Sequence, residues 1–241
     1  MAQESTRPVK TFSIGFEDQA FNELPHARLL AERYGTEHHE MIVNPDAANI
    51  LPLLVKHYNE PFADSSALPT YYVSKMTRRH VTVALSGDGG DESFAGYDSY
   101  ASILGWHKGD ACPFWLRKML ADGGIEILGA LPRNNTAARL RRGLAMFGAA
   151  NVKERRLQFG TTLKPEEKRL AYTKLFRDII SEPPVPKDPL ATYPWKDGMD
   201  ELDWLMRHDQ NFYLPDCLMV KTDIASMANS LEVRCPFLDH E

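Results

Sequence analysis

The stretch Val81-Thr82-Val83-Ala84-Leu85-Ser86-Gly87-Asp88-Gly89-Gly90-Asp91-Glu92 joins a run of β-forming residues to a turn rich in glycine and acid. Its first five residues predict a buried strand. The glycines let the backbone of the turn approach a ligand, and the residues from Asp91 onward can begin a helix whose N–H groups face an anion. Because open parallel sheets bind ligands beyond the carboxyl ends of their strands, this turn is the leading candidate for a binding site.

Three acidic side chains in the turn restrict what it can bind. Asp88, Asp91 and Glu92 would repel a bare phosphate, so the turn favours a phosphate ligand only together with Mg²⁺, which bridges carboxylate and phosphate oxygens. A helix-capping turn explains the same residues equally well when they are taken alone. An EF-hand calcium loop is disfavoured, because its alternating ligands and terminal glutamate are absent.

Strand and helix patterns alternate upstream of this turn. Residues 10–16 and 39–43 predict strands, and Leu24–Tyr34 predicts an amphipathic helix. Ala47–Tyr58 is also helical in pattern, and Pro69 opens a further helix. This alternation predicts a parallel α/β sheet. Beyond Tyr100 the pattern is helical, so we predict a partial α/β nucleotide-binding region over residues 1–100 and an all-helical region over residues 101–241.

Composition narrows the class of protein. The chain has 241 residues with 28 basic and 33 acidic side chains, a formal net charge of −5, which gives no electrostatic reason to expect nucleic acid or a membrane as partner. Cys112, Cys217 and Cys235 suggest neither a disulfide framework nor a zinc site. No signal peptide or membrane-spanning segment is recognisable. We therefore predict a cytoplasmic protein that acts on a small molecule.

Four motifs occur in the order typical of the asparagine synthetase family. Residues 85–92 with Phe94-Ala95-Gly96-Tyr97 closely resemble its second nucleotide motif. Residues 10–16, 60–69 and 221–228, the last continuing to residue 239, resemble three further motifs. The chain is thereby identified as a member of this glutamine-hydrolysing family, within its C-terminal synthetase domain.

The resemblance implies a fold and a reaction. The fold is an adenine nucleotide alpha hydrolase-like sheet of the PP-loop ATP pyrophosphatase type. In the reaction, ATP with Mg²⁺ adenylates the side-chain carboxylate of aspartate, and ammonia derived from glutamine converts the product to asparagine, AMP and pyrophosphate. A relative with another acceptor, either β-lactam synthetase-like or peptide-modifying, stays open as an alternative, as does a noncatalytic nucleotide-binding remnant.

The resemblance also implies roles for single residues. Ile14 would touch the adenine, and Ser86 and Gly87 would meet the nucleotide through their backbone groups. Asp91 would hold Mg²⁺. Asp88 would act in catalysis or positioning near the reacting carboxyl group.

Two other polar groups have structural as well as functional interpretations. Residues 64–66, Asp-Ser-Ser, lie in a loop that borders the acceptor site in relatives, but they also suit an ordinary helix cap. Asp223, Glu232 and Arg234 predict a buried charge network that fixes the helical region.

Three family features have no counterpart in this sequence: the Ser-Gly-Gly-x-Asp-Ser pyrophosphate loop, the glutaminase domain and a downstream lysine. We therefore expect a synthetase domain truncated at both ends, with its first strand missing. That strand would lie between the strands of Ile14 and Ala84, so its absence would leave two apolar edges unpaired. We expect the chain by itself to fold poorly or aggregate and to have negligible ligase activity.

Overall fold

The computed structural model describes residues 1–18, 22–43, 47–129, 135–160, 171–179 and 198–239. The chain forms two compact units, Met1–Gly89 with Tyr213–Glu241 and Gly90–Phe212. The first unit contains helices and parallel strands, and the described part of the second is helical. The α/β fold class is confirmed. The proposed domain boundary at residue 100 stays a prediction.

The first unit begins with a parallel strand pair. Strands β1 (Lys10–Gly15) and β2 (Glu37–Ile42) are joined by helix α1 (Leu24–Tyr34), which has a proline in its first turn and Gly35 directly after its end. Both strands and the helix confirm their predictions to within two residues. The crossover buries Leu24 of α1, so a short amphipathic helix covers one face of the pair.

Two helices and a third strand complete this half of the unit. Helix α2 (Ala47–Tyr58) is continuous with Pro52 inside it. Helix α3 (Ala67–Arg78) starts two residues before the predicted Pro69, and β3 (Val83–Leu85) lies within the predicted strand.

The second unit is built from seven α-helices and one 3-10 helix in its described part. They are α4 (Gly90–Phe94), α5 (Asp98–Leu104), a 3-10 helix (Gly105–Ala111), α6 (Phe114–Gly129), α7 (Asn135–Gly148), α8 (Val152–Gly160), α9 (Lys174–Ile179) and α10 (Glu201–Asn211). Their core consists of Tyr100, Ile103, Met146, Val152, Trp204 and Leu205. Large apolar side chains at helical spacing thus account for the helices of this unit that the structure describes.

The chain then returns to the first unit. A π-helical turn (Leu214–Met219) leads into α11 (Val220–Met227), and strand β4 (Glu232–Arg234) follows. Ala225 of α11 is fully buried in a core shared with Leu54 and Tyr58 of α2 and Tyr71 of α3.

Strand β4 corrects the prediction of an all-helical region over residues 101–241. It pairs in parallel with β3, with Ala84 opposite Val233, and the N–H of Ser86 donates to the carbonyl of Arg234 at 2.9 Å. The backbone groups of β3 would otherwise lack partners on this side, and satisfying them offsets the cost of ordering three distant residues. In the described chain, the pairs β1–β2 and β3–β4 are separate sheets.

Among the described residues, the structure contains no helix with the length and apolarity needed to span a lipid bilayer.

Candidate functional site

The turn after β3 opens into a large cavity of the first unit. Ser86, Gly87 and Asp88 line this cavity, whose volume is about 1050 Å³. Its other walls come from β1, α3, α11 and β4. Small-molecule pockets commonly measure about 300–1000 Å³, so the cavity has room for a ligand as large as a nucleotide. The structure thus brings three of the predicted site residues to one space at the end of a parallel strand.

Two hydroxyl groups fix the carboxylate of Asp88. Ser86 Oγ donates to Asp88 Oδ2 at 2.6 Å, and Thr222 Oγ1 donates to the same oxygen at 3.2 Å. Burial and the charge of Asp88 raise the pKa of the neighbouring Cys235 thiol. We call residues 86–89 the Asp88 loop.

Gly89 is required by the backbone of the Asp88 loop. Its φ is +89°, in the region that favours glycine, and a Cβ at this position would collide with the side chain of Leu238. At Gly87, by contrast, an added Cβ would meet no atom within 4 Å. Gly89 is therefore needed for the fold, whereas Gly87 leaves open space beside the cavity.

Asp91 and Glu92 lie on α4, in the second unit, and their environments differ. Asp91 is exposed, and its carbonyl accepts a hydrogen bond from the N–H of Gly96 at 3.0 Å. Glu92 is 1% exposed and accepts a hydrogen bond from the Tyr97 hydroxyl. Glu92 therefore faces the protein interior and is not one of the acids presented to a ligand.

Ile14 lies near the end of β1, where it pairs with Met41 of β2. Its neighbours Lys10, Thr11 and Phe12 line the large cavity, and Ile14 is not among the lining residues. Contact between Ile14 and an adenine ring stays a prediction.

The first turn of α11 supplies two site residues to which sequence reasoning gave no role. Lys221 and Thr222 are each 8% exposed and line the large cavity. Residues 221–228 were identified as a motif, but nothing local in that motif indicates which distant side chains its first two residues contact. Only the folded chain brings Thr222 to Asp88.

Lys221 contacts the loop over residues 63–66, which we call the Asp64 loop. Its Nζ donates to Ser66 Oγ at 2.9 Å and lies 3.5 Å from Asp64 Oδ2. Asp64 Oδ1 accepts from the N–H of Ser66 at 2.8 Å and from its hydroxyl at 2.7 Å. Burial acts to raise the pKa of Asp64, but the hydrogen bonds from Ser66 and the charge of Lys221 outweigh burial and hold this pKa below its usual range.

The predicted buried network of Asp223, Glu232 and Arg234 is wrong. All three side chains are exposed, and Glu232 pairs with Arg234 at 2.7 Å at the surface. Residues 232 and 234 are two apart on a strand, so their side chains share one face, and in β4 that face is open to solvent.

The ionic groups that line the large cavity are mostly cationic. Lys10, Lys221 and Arg234 contribute positive charge, and Asp88 contributes the one carboxylate among the described lining residues. Each of these cations also pairs with a carboxylate outside the lining, Lys10 with Glu37, Lys221 with Asp64 and Arg234 with Glu232, so the lining gives only a weak preference for an anionic ligand.

Comparison with known proteins agrees with the motifs. The family model described as asparagine synthase matches residues 1–241. Asparagine synthetase [glutamine-hydrolyzing] 1 of Bacillus subtilis (strain 168) is 31% identical over 246 residues, which cover 99% of this chain and 36% of that protein. A putative asparagine synthetase [glutamine-hydrolyzing] of Mycobacterium tuberculosis (strain ATCC 25618 / H37Rv) is 31% identical over 232 residues, 96% of this chain and 34% of that protein.

A third relative matches a shorter part of the chain. The putative asparagine synthetase [glutamine-hydrolyzing] 2 of Methanocaldococcus jannaschii is 46% identical over 88 residues, 36% of this chain and 17% of that protein. The chain spans about a third of the length of the Bacillus and Mycobacterium relatives. With the whole sequence matched by the family model, the chain belongs to the asparagine synthase family.

Proposed function

We propose that this chain forms one side of an ATP-dependent, amide-forming site that converts aspartate, or a related carboxylate, to its amide with release of AMP and pyrophosphate. The observation that carries the proposal is the cavity at the end of β3, where Ser86, Gly87 and Asp88 lie together. Its three lining cations can also bind the oxygens of a polyphosphate, and membership of the asparagine synthase family supports ligase chemistry.

The proposed reaction has two steps. A carboxylate oxygen of the acceptor attacks the α-phosphorus of ATP, and the bond from that phosphorus to the bridging oxygen breaks to release pyrophosphate. The nitrogen of ammonia then attacks the acyl carbon, the bond to AMP breaks, and a proton leaves the nitrogen. Most of the barrier reduction in such transfers comes from positioning and charge stabilisation, which are tasks that fixed side chains can perform.

The residues of the Asp88 loop have distinct roles in this proposal. Ser86 and Gly87 bind the nucleotide through backbone groups, and the open space at Gly87 gives a phosphate access to that backbone. Asp88, oriented by the hydroxyl groups of Ser86 and Thr222, positions the reacting groups or accepts the proton from nitrogen. Ile14 contacts the adenine.

Asp91 is the proposed ligand of Mg²⁺. No cluster of three His, Cys, Asp or Glu side chains suited to a metal occurs in the part of the chain that the structure describes. Mg²⁺ in nucleotide sites is commonly held by one or two carboxylates together with phosphate oxygens, and the exposed carboxylate of Asp91 fits that requirement. The ion would supply neutralisation of phosphate charge.

We assign the α/β part to the adenine nucleotide alpha hydrolase-like fold, of the PP-loop type. The parallel pairs β1–β2 and β3–β4 support this assignment, as does the location of the cavity at a strand's carboxyl end. Ammonia would come from glutamine through a glutaminase domain. Three free cysteines suit a reducing compartment, and we propose the cytoplasm.

The first test is equilibrium titration of the chain with ATP in the presence and absence of Mg²⁺. We expect binding that strengthens with Mg²⁺ and weakens in Asp91→Asn. Binding that is indifferent to both changes would remove the assignment of Asp91, and no binding would contradict the proposed function.

The second test measures turnover in a chimera, in which this chain replaces the matching segment of the Bacillus subtilis relative. We expect AMP and pyrophosphate in equal amounts when aspartate and ammonia are supplied. Turnover with another carboxylate only would favour the β-lactam synthetase-like or peptide-modifying alternative. ATP binding without turnover of any acceptor would favour a noncatalytic nucleotide-binding remnant.

A further inference from the structure

The first turn of α11 joins two loops that are distant in the sequence. Lys221 contacts Ser66 and Asp64 of the Asp64 loop. The next residue, Thr222, donates its hydroxyl to Asp88 of the Asp88 loop. Because adjacent residues of one helical turn make these contacts, a displacement of either residue moves the other.

This turn is fixed to its surroundings. The Tyr58 hydroxyl donates to the carbonyl of Lys221 at 3.2 Å, and burial, with the nearby charge of Asp64, raises the pKa of Tyr58 to about 12. The π-helical turn directly upstream carries Cys217, whose thiol donates to Asp64 Oδ2 at 3.6 Å. Single π-helical turns frequently mark functional sites.

The two loops also border different spaces within the first unit. Asp88 lines the large cavity together with Lys221 and Thr222. Asp64 lines a second cavity of about 220 Å³, whose other walls include Tyr58 and Phe62. The Lys221–Asp64 pair therefore lies between a nucleotide-sized space and a smaller one.

A purely structural ion pair explains these contacts less well. Replacing a buried ion pair with apolar residues of similar size is often neutral or stabilising, so stability alone gives little reason to bury Lys221 against Asp64. What a buried, hydrogen-bonded pair does provide is a single defined geometry, here for the Asp64 loop.

We propose that Lys221 and Thr222 are positioning residues that couple occupancy of the large cavity to the conformation of the Asp64 loop. The coupling rests on the proposed function, since ATP is taken as the ligand of the Asp88 loop. A phosphate group that arrives near Asp88 repels its carboxylate. Because Thr222 donates its hydroxyl to an oxygen of that carboxylate, a movement of the carboxylate displaces Thr222. The shift passes through the backbone to Lys221 and then to Asp64 and Ser66.

Two cysteines report on the two loops separately. Burial and the charge of Asp64 raise the pKa of Cys217, and burial and the charge of Asp88 raise the pKa of Cys235.

The experiment measures the alkylation rate of each thiol by peptide mass spectrometry, on the full chain at low concentration, with and without ATP and Mg²⁺. We expect ATP to slow alkylation at both Cys217 and Cys235, at Cys217 by about tenfold for each unit by which the shift of the Asp64 loop raises the thiol pKa. Cys112, in the second unit, is the internal control.

Matched variants separate coupling from packing. Thr222→Val keeps the shape of the side chain but removes the hydroxyl donor, so ATP should still slow alkylation of Cys235 but no longer that of Cys217. Thr222→Ser restores the donor and should restore the response of Cys217. Lys221→Arg keeps the charge and should retain the response, whereas Lys221→Met should lose it. Thermal melting of each variant verifies that it is folded.

The outcomes distinguish this inference from the function on which it rests. If ATP slows Cys235 but not Cys217 in the unmodified chain, or if Thr222→Val keeps the response of Cys217, coupling is refuted and ATP binding stands. If ATP changes neither thiol, the coupling is refuted, and the ATP titration then decides the proposed function: binding leaves it standing, and no binding refutes it as well. Should Thr222→Val fail to fold, the comparison of Lys221→Arg with Lys221→Met decides the question in the same way.

Discussion

At the scale of single residues, each of two carboxylates acts on one thiol. Asp64 accepts a hydrogen bond from Cys217, and Asp88 lies near Cys235. In both cases burial and the neighbouring negative charge disfavour the thiolate. The two thiols are therefore less reactive than free cysteine thiols, and their pKa values report on the charge of the two loops.

Asp64→Asn is expected to lower the pKa of Cys217, because the substitution removes a negative charge while the cation of Lys221 stays. The alkylation rate at near-neutral pH should rise about tenfold for each unit by which the pKa falls, as long as the thiol remains mostly protonated. The pH dependence of alkylation at each cysteine measures this. Asp88→Asn is the matched control and should lower the pKa of Cys235 more than that of Cys217. Equal effects of both substitutions on both thiols would contradict the assignment.

Two glycines of the Asp88 loop should respond differently to the same substitution. Gly89→Ala forces a side chain into a positive φ and against Leu238, so we expect a loss of about 1–3 kcal/mol in the free energy of unfolding. Gly87→Ala adds a methyl group to open space and should leave stability within about 0.5 kcal/mol while weakening ATP binding. Denaturant unfolding and ATP titration of both variants test the pair. Unchanged ATP affinity in a folded Gly87→Ala protein would remove Gly87 from the nucleotide site.

At the scale of elements, one carboxylate connects three helices of the second unit. Asp209 of α10 is 2% exposed, accepts from the Tyr100 hydroxyl of α5 at 2.9 Å and pairs with Arg156 of α8 at 2.6 Å. His208 contacts the same carboxylate at 3.1 Å. Burial acts to raise the pKa of Asp209, but the bonds from His208 and Arg156 outweigh burial and lower it.

This lowered pKa makes the helical unit sensitive to acid. Ionised Asp209 stabilises the folded state above about pH 4, the ordinary pKa of an unfolded-state aspartate, and the stabilisation is lost as the pH falls through the lower folded-state pKa. We expect Asp209→Asn to cost about 3 kcal/mol near neutral pH, with the difference from the unmodified chain shrinking in acid. Calorimetric melting of both proteins, from near-neutral pH into acid, measures this difference in stability. Asp203→Asn, at an exposed position in the first turn of the same helix, should cost no more than about 1 kcal/mol at any pH. A constant deficit of Asp209→Asn at all pH values would contradict the linkage.

The elements also show what the sequence could and could not predict. Helix α1 and strands β1 and β2 were predictable because their periodicity and terminal residues are local features. Strand β4 was not predictable, because three residues are too few to show a periodic pattern and their partner β3 lies almost 150 positions away in the sequence. The site residues differ in the same way. Ser86, Gly87 and Asp88 were predictable because they are neighbours in the sequence, whereas the contact of Thr222 with Asp88 depends on packing.

At the scale of the whole molecule, the sheet is divided into two pairs. Strands β1 and β3 both line the large cavity, and in the described chain no ladder of hydrogen bonds joins them. Both Val83 and Leu85 of β3 are large apolar side chains open to solvent. Exposed apolar strand edges pair readily with other chains, which gives the expected aggregation a specific location.

Val83→Lys is expected to reduce self-association of the chain. Val83 is 40% exposed and pairs in register with Glu232 of β4, so a lysine there places charge on the edge beside an acidic partner without burying it. Val55→Lys is the matched control, because Val55 is 59% exposed on α2, a helix that offers no strand edge, and the two variants carry the same added charge. Sedimentation velocity over a wide concentration range should show the dissociated species persisting to higher concentration in Val83→Lys only. Equal improvement in both variants would mean that net charge controls association, and no change in either would place the associating surface elsewhere than on β3.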